Sequence, residues 1–269
     1  MLKIIFLFIS CSLIFLFINF SLFAKEKKIF LASTTSTYDS GLLPYLNEIF
    51  SEKYNITIQV LALGTGQALR AAQDGNVEIV LVHHTPSEIN FMEKGYGLIR
   101  YNLMYNDYVI VGPNDDMFGC QSIKSKLKYI YENRLTFISR GDDSGTHKKE
   151  LELWNTNNLF PDRFKSWYLN IGQGMGSVLL MANNKKAYTL SDRGTWISFN
   201  RKNNLKVICE NLPPLINQYG IIIVNPLLNN NLNIREAKIY VGWLLSNEGK
   251  NLINGFRKKD KQLFFFNNY

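Results

Sequence analysis

Apolar residues along this chain gather into short runs, and the runs alternate between two spacings. Ile29–Ala32, Ile56–Leu63 and Val77–Val82 are apolar-rich and bounded by turn residues, which predicts buried strands. Between the first two, Leu42, Tyr45, Leu46, Ile49 and Phe50 recur at helical spacing. They predict a helix over Ser40–Phe50, with Pro44 tolerated in its first turn. A second helix is expected over Gln67–Asp74, packing through Ala68, Leu69, Ala71 and Ala72 and ended by Gly75. Strands alternating with helices predict a parallel sheet, and ligands of such sheets bind beyond the carboxyl ends of the strands.

Tyr108–Val111 is a further strand, stopped by Gly112-Pro113. Asn114–Asn133 is polar and turn-rich, and the chain is expected to cross there into a second α/β unit. That unit begins with a strand, Leu135–Ile138, and a helix, Lys148–Trp154; the stretch from Trp154 to Trp167 reads as irregular. A helix over Ser177–Asn183 and a strand over Ala187–Leu190 follow. Tyr219–Val224, closed by Asn225-Pro226, mirrors the earlier Gly-Pro stop, so the two strands read as paired crossovers. The last helix, Ile234–Leu245, carries Ala237, Tyr240, Val241 and Leu244 at helical spacing and returns to the first unit. The expected fold class is α/β, with two lobes that are each a mixed sheet flanked by helices. Residues 25–108 and 219–269 form lobe I, and 109–218 form lobe II.

Residues 1–24 are a separate object. Lys3 is the only charge, Ile4–Phe23 is almost wholly apolar, and Ala24 stands before Lys25-Glu26-Lys27-Lys28. This predicts a secretory signal peptide cut after Ala24. A retained anchor is the alternative, since an apolar span of about 20 residues can cross a bilayer. The 269 residues, 46% hydrophobic and 19% charged, suffice for two modest domains with buried cores. Net charge is +8; without Lys3, 29 basic residues face 22 acidic ones, giving +7. A basic balance suits anionic ligands, and because the Lys and Arg residues are scattered no nucleic-acid partner is expected. Beyond the leader only Cys120 and Cys209 remain. An exported chain can pair them; unpaired buried thiols are the other reading. Two cysteines and the spaced His83, His84 and His147 do not make a metal site.

Three polar stretches fall at strand ends. Ser33–Thr37 is an unbroken run of hydroxyls. Gly64-Thr65-Gly66 opens a helix, but with Leu69 in place of a third glycine and no Gly-Lys-Ser/Thr it is neither a dinucleotide fingerprint nor a P-loop. The most specific is Ser139–His147, which sets Arg140, Ser144, Gly145 and Thr146 at a helix start. Unpaired N–H groups and a partial positive charge favour an anion there, and Arg140 adds a forked, permanently charged donor. Asp143-Ser144-Gly145 also matches the Asp-Ser-Gly of trypsin-like proteases, which makes a secreted serine hydrolase the reading from another class. Against it stand the α/β pattern and Asp142 and Thr146, where those enzymes carry glycine.

These stretches together resemble the tungstate-binding proteins of ABC transporters, within the two-lobed, type II periplasmic binding proteins of the molybdate, sulfate and phosphate kind. The resemblance is carried by Ser33–Thr37 with Asp39–Leu43, by Gly64–Ala68, Asn106–Pro113 and Ser139–Thr146, by Gly172-Gln173-Gly174-Met175-Gly176, and by Tyr188–Thr195. It departs at Ser33, where the family usually has the first of three threonines. It implies oxyanion ligands at Thr34, Thr35 and Ser36 from one lobe and at Arg140, Ser144 and Thr146 from the other. Thr65 and backbone groups of Gly174 or Met175 are implied beside them. Asp142 and Asp143 would hold Arg140 or cap the helix rather than face the cavity. The implied protein is not an enzyme and needs no cofactor. It captures tungstate by hinge closure and delivers it to an ABC transporter permease, as a periplasmic monomer. Molybdate is a possible second ligand, and a molybdate, phosphate or sulfate receptor of the same fold is the alternative.

Overall fold

The computed structural model of the chain describes residues 27–161 and 166–267; the leader expected over residues 1–24 lies outside the described residues. In chain order the first half holds β1 (Lys27–Thr34), α1 (Thr35–Asp39), α2 (Leu42–Tyr54), β2 (Ile56–Leu63), α3 (Thr65–Gln73), β3 (Ile79–Val82), α4 (Thr85–Glu93) and β4 (Gly97–Pro113). Then come α5 (Ile123–Glu132), β5 (Phe137–Ser139), α6 (Gly145–Thr156), β6 (Tyr168–Asn170), α7 (Met175–Lys185), β7 (Thr189–Asp192), α8 (Arg193–Ser198) and β8 (Leu205–Cys209). The chain closes with β9 (Ile216–Val224), α9 (Ile234–Leu244), α10 (Asn247–Gly255) and the short strands β10 (Arg257–Lys258), β11 (Lys261–Gln262) and β12 (Phe265–Phe266).

β1 lies between β2 and β3 and is parallel to both; β3 then pairs antiparallel with β9, and β9 with β4. Strand side chains alternate between faces, and here both faces are covered. Ile29, Leu31, Ile79 and Leu81 join one core with α2 and α9, while Ala32, Val80 and Val82 join a second with α3 and Phe91. That is why the runs read as continuously apolar. β4 is shared. Through Asp107 it pairs with β9, and from Tyr108 it pairs with β7 and β8. Past that point Tyr108 and Ile110 enter a third core with Phe137 and Trp154, and Val109 and Val111 a fourth with Ile138 and Val178.

Several expected boundaries move, each for a local reason. The helix expected from Ser40 begins at Leu42, because Gly41 takes φ 90° and the Ser40 hydroxyl accepts the Leu42 N–H at 3.2 Å. The hydroxyl run is half strand and half helix, with Thr34 capping α1. Segment 114–133 carries α5 rather than only turns: Ser122 caps it, and Ile123, Leu127 and Ile130 are buried. Lys126 interrupts that stripe in sequence, yet its ammonium is buried on Asp116 Oδ2 at 2.5 Å. α4 hides in the same way behind Glu88, which is buried against Arg100. The helix at Lys148 begins at Gly145, and α8 and α10 were not expected.

Cys120 and Cys209 are paired, tying the loop before α5 to the end of β8 across 89 residues. Reduction, or Cys120→Ser with Cys209→Ser, is expected to lower stability by about 2–4 kcal/mol. The readout is a lower denaturant midpoint, with a steeper slope because the uncrosslinked unfolded chain exposes more surface; a midpoint indifferent to reductant would mean the bond is not formed in solution.

Candidate functional site

The parallel strands β1, β2 and β3 end together at Thr34, Leu63 and Val82, and the parallel β5 and β6 end at Ser139 and Asn170. Helices start at these ends. Thr34 caps α1, and Thr35 and Ser36 are its first residues; Thr65 is the first residue of α3. Ser144 caps α6, Thr146 is its second residue, Gly174 caps α7 and Met175 is its first. Arg140 stands in the loop before α6. First turns carry unpaired N–H groups and the positive end of the helix dipole.

Contacts bring these turns together. The Thr35 hydroxyl donates to the Leu63 carbonyl at 3.3 Å, tying α1 to the approach of α3. The Gly66 N–H donates to the Asp143 carbonyl at 3.4 Å, tying α3 to the loop before α6. A Cβ at Gly66 would run into the Asp143 carboxylate, which packs against this glycine. Ser36, Gly176, Gly194 and Thr195 line a cavity of about 240 Å³ between α1, α7 and α8.

The expected ligand residues are in different states. The Thr34 hydroxyl accepts the Thr37 N–H at 3.3 Å and bonds the Thr37 and Ser36 hydroxyls at 2.6 and 3.3 Å, so it serves as a cap. Thr35 is exposed, and Ser33 donates to the Leu81 carbonyl. Arg140 is 9% exposed and places Nε and Nη2 on Asp142 Oδ2 at 3.2 and 2.7 Å. Asp142 Oδ1 accepts the Ser144 N–H at 3.2 Å and the Ser144 hydroxyl at 2.5 Å, and the Ser144 oxygen accepts the His147 N–H at 3.2 Å. Burial alone would push the Asp142 carboxyl up, but the Ser144 hydroxyl and the Arg140 charge hold it below the usual carboxylate range. Asp143 pairs with Lys148 at 3.1 Å and Arg70 at 3.4 Å. Gly174 is exposed, whereas the Met175 side chain packs in the core with Val178 and Leu179, leaving backbone groups to serve this turn.

Two hydroxyls stand apart. Thr65 Oγ1 and Thr146 Oγ1 are buried and have no hydrogen-bond partner among the described residues. The residues are 0% and 1% exposed, one in the first turn of α3 and the other in the first turn of α6. A buried hydroxyl left unpaired costs about 1–3 kcal/mol.

Sequence reasoning missed the residues behind the site. His83, read in the sequence only as one of three histidines too spaced for a metal site, has Nδ1 2.9 Å from both the Tyr108 hydroxyl and Asn217 Oδ1. Asn217 Nδ2 donates to Asn106 Oδ1 at 2.7 Å and to the Tyr219 hydroxyl at 3.2 Å. Burial, opposed by the Asn217 bond and reinforced by the Arg140 charge, lowers the His83 pKa to about 4, so the ring is neutral at pH 7. Asp192 is buried nearby and caps α8, accepting the Thr195 N–H at 2.8 Å and the Thr195 hydroxyl at 2.6 Å. Burial pushes its pKa up against those bonds and the Arg140 charge. No signal in local spacing reveals His83, whose partners are 25 and 134 residues away.

The same contacts bear on the hydrolase alternative. Ser144 bonds a carboxylate, and His147 Nδ1 meets the Asp142 carbonyl. His84 Nδ1 lies 2.7 Å from the Ser87 hydroxyl, so no imidazole bonds Ser144 among the described contacts. Among the described residues Ser144 is therefore a helix cap held by Asp142 and not a hydroxyl paired with an imidazole base.

The chain is similar to known proteins along most of its length. The model of the PBP superfamily domain matches residues 23–248. The tungstate-binding protein TupA of Peptoclostridium acidaminophilum is 45% identical over 236 residues, which cover 86% of this chain and 82% of that protein. The solved structure of the tungstate-binding protein TupA from Desulfovibrio alaskensis G20 superposes with a TM-score of 0.80 at 36% identity, covering 90% of this chain and 99% of that one. The tungstate ABC transporter structure from Geobacter sulfurreducens gives 0.78 at 40% identity, with 86% and 99% covered.

His83 makes the fold sensitive to acid. Its folded pKa of about 4 lies below the ordinary 6.5, so below pH 6.5 the unfolded chain binds a proton that the folded chain refuses. Stability is expected to fall as pH drops from 6.5 toward 4, by on the order of 3 kcal/mol. His83→Asn should lose that share of the pH slope in denaturant midpoints; identical slopes in both chains would remove His83 as the cause.

Proposed function

We propose a function from one premise: the chain belongs to the PBP superfamily and, within it, to the tungstate-binding proteins of ABC transporters. It captures tungstate in the cleft between two lobes by closure about the crossing strands β4 and β9. It then hands the ion to the membrane permease of an ABC transporter. The protein binds and releases its ion unchanged, works as a monomer in the periplasm, and needs no cofactor. The Cys120–Cys209 bond suits such an oxidising compartment.

The observation that carries this reading is the pair of buried, unpartnered hydroxyls on Thr65 and Thr146. Tungstate at neutral pH is a tetrahedral dianion that accepts hydrogen bonds and donates none. It therefore calls for donors alone, and charge-assisted donors are the strong ones. The carboxylates that would repel it are engaged elsewhere: Asp142 on Arg140 and Ser144, Asp143 on Lys148 and Arg70. Hydrogen phosphate, which brings a proton of its own, gains an acceptor from neither.

Thr34, Thr35, Ser36 and Thr65 serve the ion from the lobe of residues 25–108 and 219–269. Arg140, Ser144, Thr146 and the backbone at Gly174 and Met175 serve it from the lobe of residues 109–218. Within these sets, Thr65, Thr146 and the remaining Arg140 donors touch the ion. Thr34 and Ser144 act as caps that keep first-turn N–H groups aimed at it. An ion bridging both sets stabilises the closed form over the open one.

Calorimetry with tungstate, molybdate, sulfate and phosphate tests the reading. Tungstate and molybdate should bind far more tightly than the other two; phosphate or sulfate binding equally well would overturn it. Arg140→Ala should weaken tungstate binding by one to two orders of magnitude, the loss of about 1.5–3 kcal/mol expected for a charged donor. Thr65→Val and Thr146→Val should each weaken binding by roughly five- to tenfold, about 1–1.4 kcal/mol. Both should leave the ligand-free Tm equal or higher, because an apolar group of the same shape removes an unpaired buried hydroxyl. Lower Tm with unchanged affinity would take these hydroxyls out of the site.

A further inference from the structure

We propose that His83 is a positioning residue of the anion site: its ring is the stop against which the first turn of α6 rests when the lobes meet, and it thereby sets the size of ion that fits between Thr65 and Thr146. The inference rests on the hinge-closure reading above.

The contact is specific. A Cβ built on Gly145 would stand 2.6 Å from His83 Cε1, 2.8 Å from Nδ1 and 3.1 Å from Nε2. The ring edge therefore lies directly on the backbone of the first residue of α6, one position before Thr146. The ring itself has little freedom. It is 5% exposed, its Nδ1 is held by Tyr108 on β4 and Asn217 on β9, and it stacks on Tyr219 with centroids 4.9 Å apart. It is thus fixed to the crossing strands, about which the lobes would turn.

The contact joins parts with separate cores. His83 follows β3, whose Ile79 and Leu81 pack with Leu31 and Tyr219. α6 packs through Leu153 and Trp154 against Phe137 and Tyr168. A second contact lies alongside, where the Gly66 N–H reaches the Asp143 carbonyl and the Asp143 carboxylate fills the space a Cβ would take. Each unpaired threonine is therefore the chain neighbour of a glycine on which the opposite part rests: Thr65 precedes Gly66, and Thr146 follows Gly145. Two stops beside two donors fix the distance between the donors. The charged and titratable neighbours of the ring are Arg140, His84, Tyr108 and Tyr219. Burial together with Arg140 keeps the ring neutral, so it meets the positive end of α6 without repulsion.

Sulfate is a smaller tetrahedral dianion than tungstate, so a stop that holds the donors apart favours the larger ion. The test is a cycle of Gly145→Ala, His83→Asn and the double variant, read by tungstate and sulfate affinity and by ligand-free Tm. Alanine is the better helix former, so Gly145→Ala should not lower the ligand-free Tm. It should nevertheless weaken tungstate by about tenfold or more, because the added methyl meets the ring before closure is complete. His83→Asn can still place an amide near Tyr108 and Asn217 but removes the outer ring edge. It should narrow the tungstate-to-sulfate ratio by about tenfold. The double variant should bind tungstate better than Gly145→Ala alone.

Wild-type affinity in Gly145→Ala, an unchanged ion ratio in His83→Asn, or no rescue in the double variant would each overturn the proposal. So would a Gly145→Ala chain that fails to fold, since the contact would then be permanent and not a stop reached on closing. If the native chain prefers another of the four anions, the tungstate reading fails alone, and the same cycle run with that anion decides the role of His83. If it binds none of them, both fall.

Discussion

A doubly charged ion leaving water gives up a full shell of hydrogen bonds, and a protein interior must return them from fixed positions. No single loop holds enough donors. This chain ends the parallel strands of two sheets, β1–β3 and β5–β6, and starts helices after them, and on the proposed reading the first-turn N–H groups and hydroxyls of those helices supply the donors. Everything else near the site follows from keeping that set of donors free of competing acceptors. Asp142 is the clearest case. It sits two residues from both Arg140 and Ser144, and its two oxygens are spent on them. The carboxylate steadies the guanidinium and the cap of α6 instead of facing the cleft.

The site's outline was legible because its parts are local. Hydroxyls and glycines at strand ends announce helix starts, and the motifs at Thr65 and at Arg140–Thr146 are short. β1 and β3 were legible because both faces are buried, which leaves an unbroken apolar run. What escaped did so for definable reasons. Glu88 and Lys126 put charges on the buried stripes of α4 and α5, and only partners distant in the chain or in a neighbouring loop, Arg100 and Asp116, make those positions tolerable. The first part of β4 alternates poorly because its register against β9 shifts between Gly97 and Ile99 and again between Asn102 and Met104. The role of Asp142 was undecidable from spacing, since the same spacing serves a cap or a cavity. The cysteines could not be paired until the fold brought their Cα atoms to 5.4 Å.

The paired strands β4 and β9 carry polar networks where most central strands carry only apolar side chains. Successive strand residues face opposite ways, and Asn106 and Asp107 accordingly serve different partners. Asn106 bonds Asn217 and Tyr219 in the buried network that holds His83. Asp107 receives both Arg193 Nε and Nη2, at 2.6 and 2.5 Å, and Arg193 also reaches Glu210 at 2.9 Å. The forked pairing matters more for direction than for energy, because partly exposed ion pairs contribute little. It holds the start of α8 to the point where β4 changes partners.

The partner of β3 comes late in the chain. Ile79–Val82 pairs on one side with β1 and on the other with residues 220–223 of β9, and β4 through β8 intervene between them. As the polypeptide is made from its N-terminus, β1, β2 and β3 can assemble early, but one margin of that sheet has nothing to bond. The margin is Ile-Val-Leu-Val, four apolar residues with open backbone groups. Such an edge invites pairing with other chains until it is covered. Folding therefore passes through an interval of adhesive vulnerability, whose length is set by how quickly the last fifth of the chain arrives.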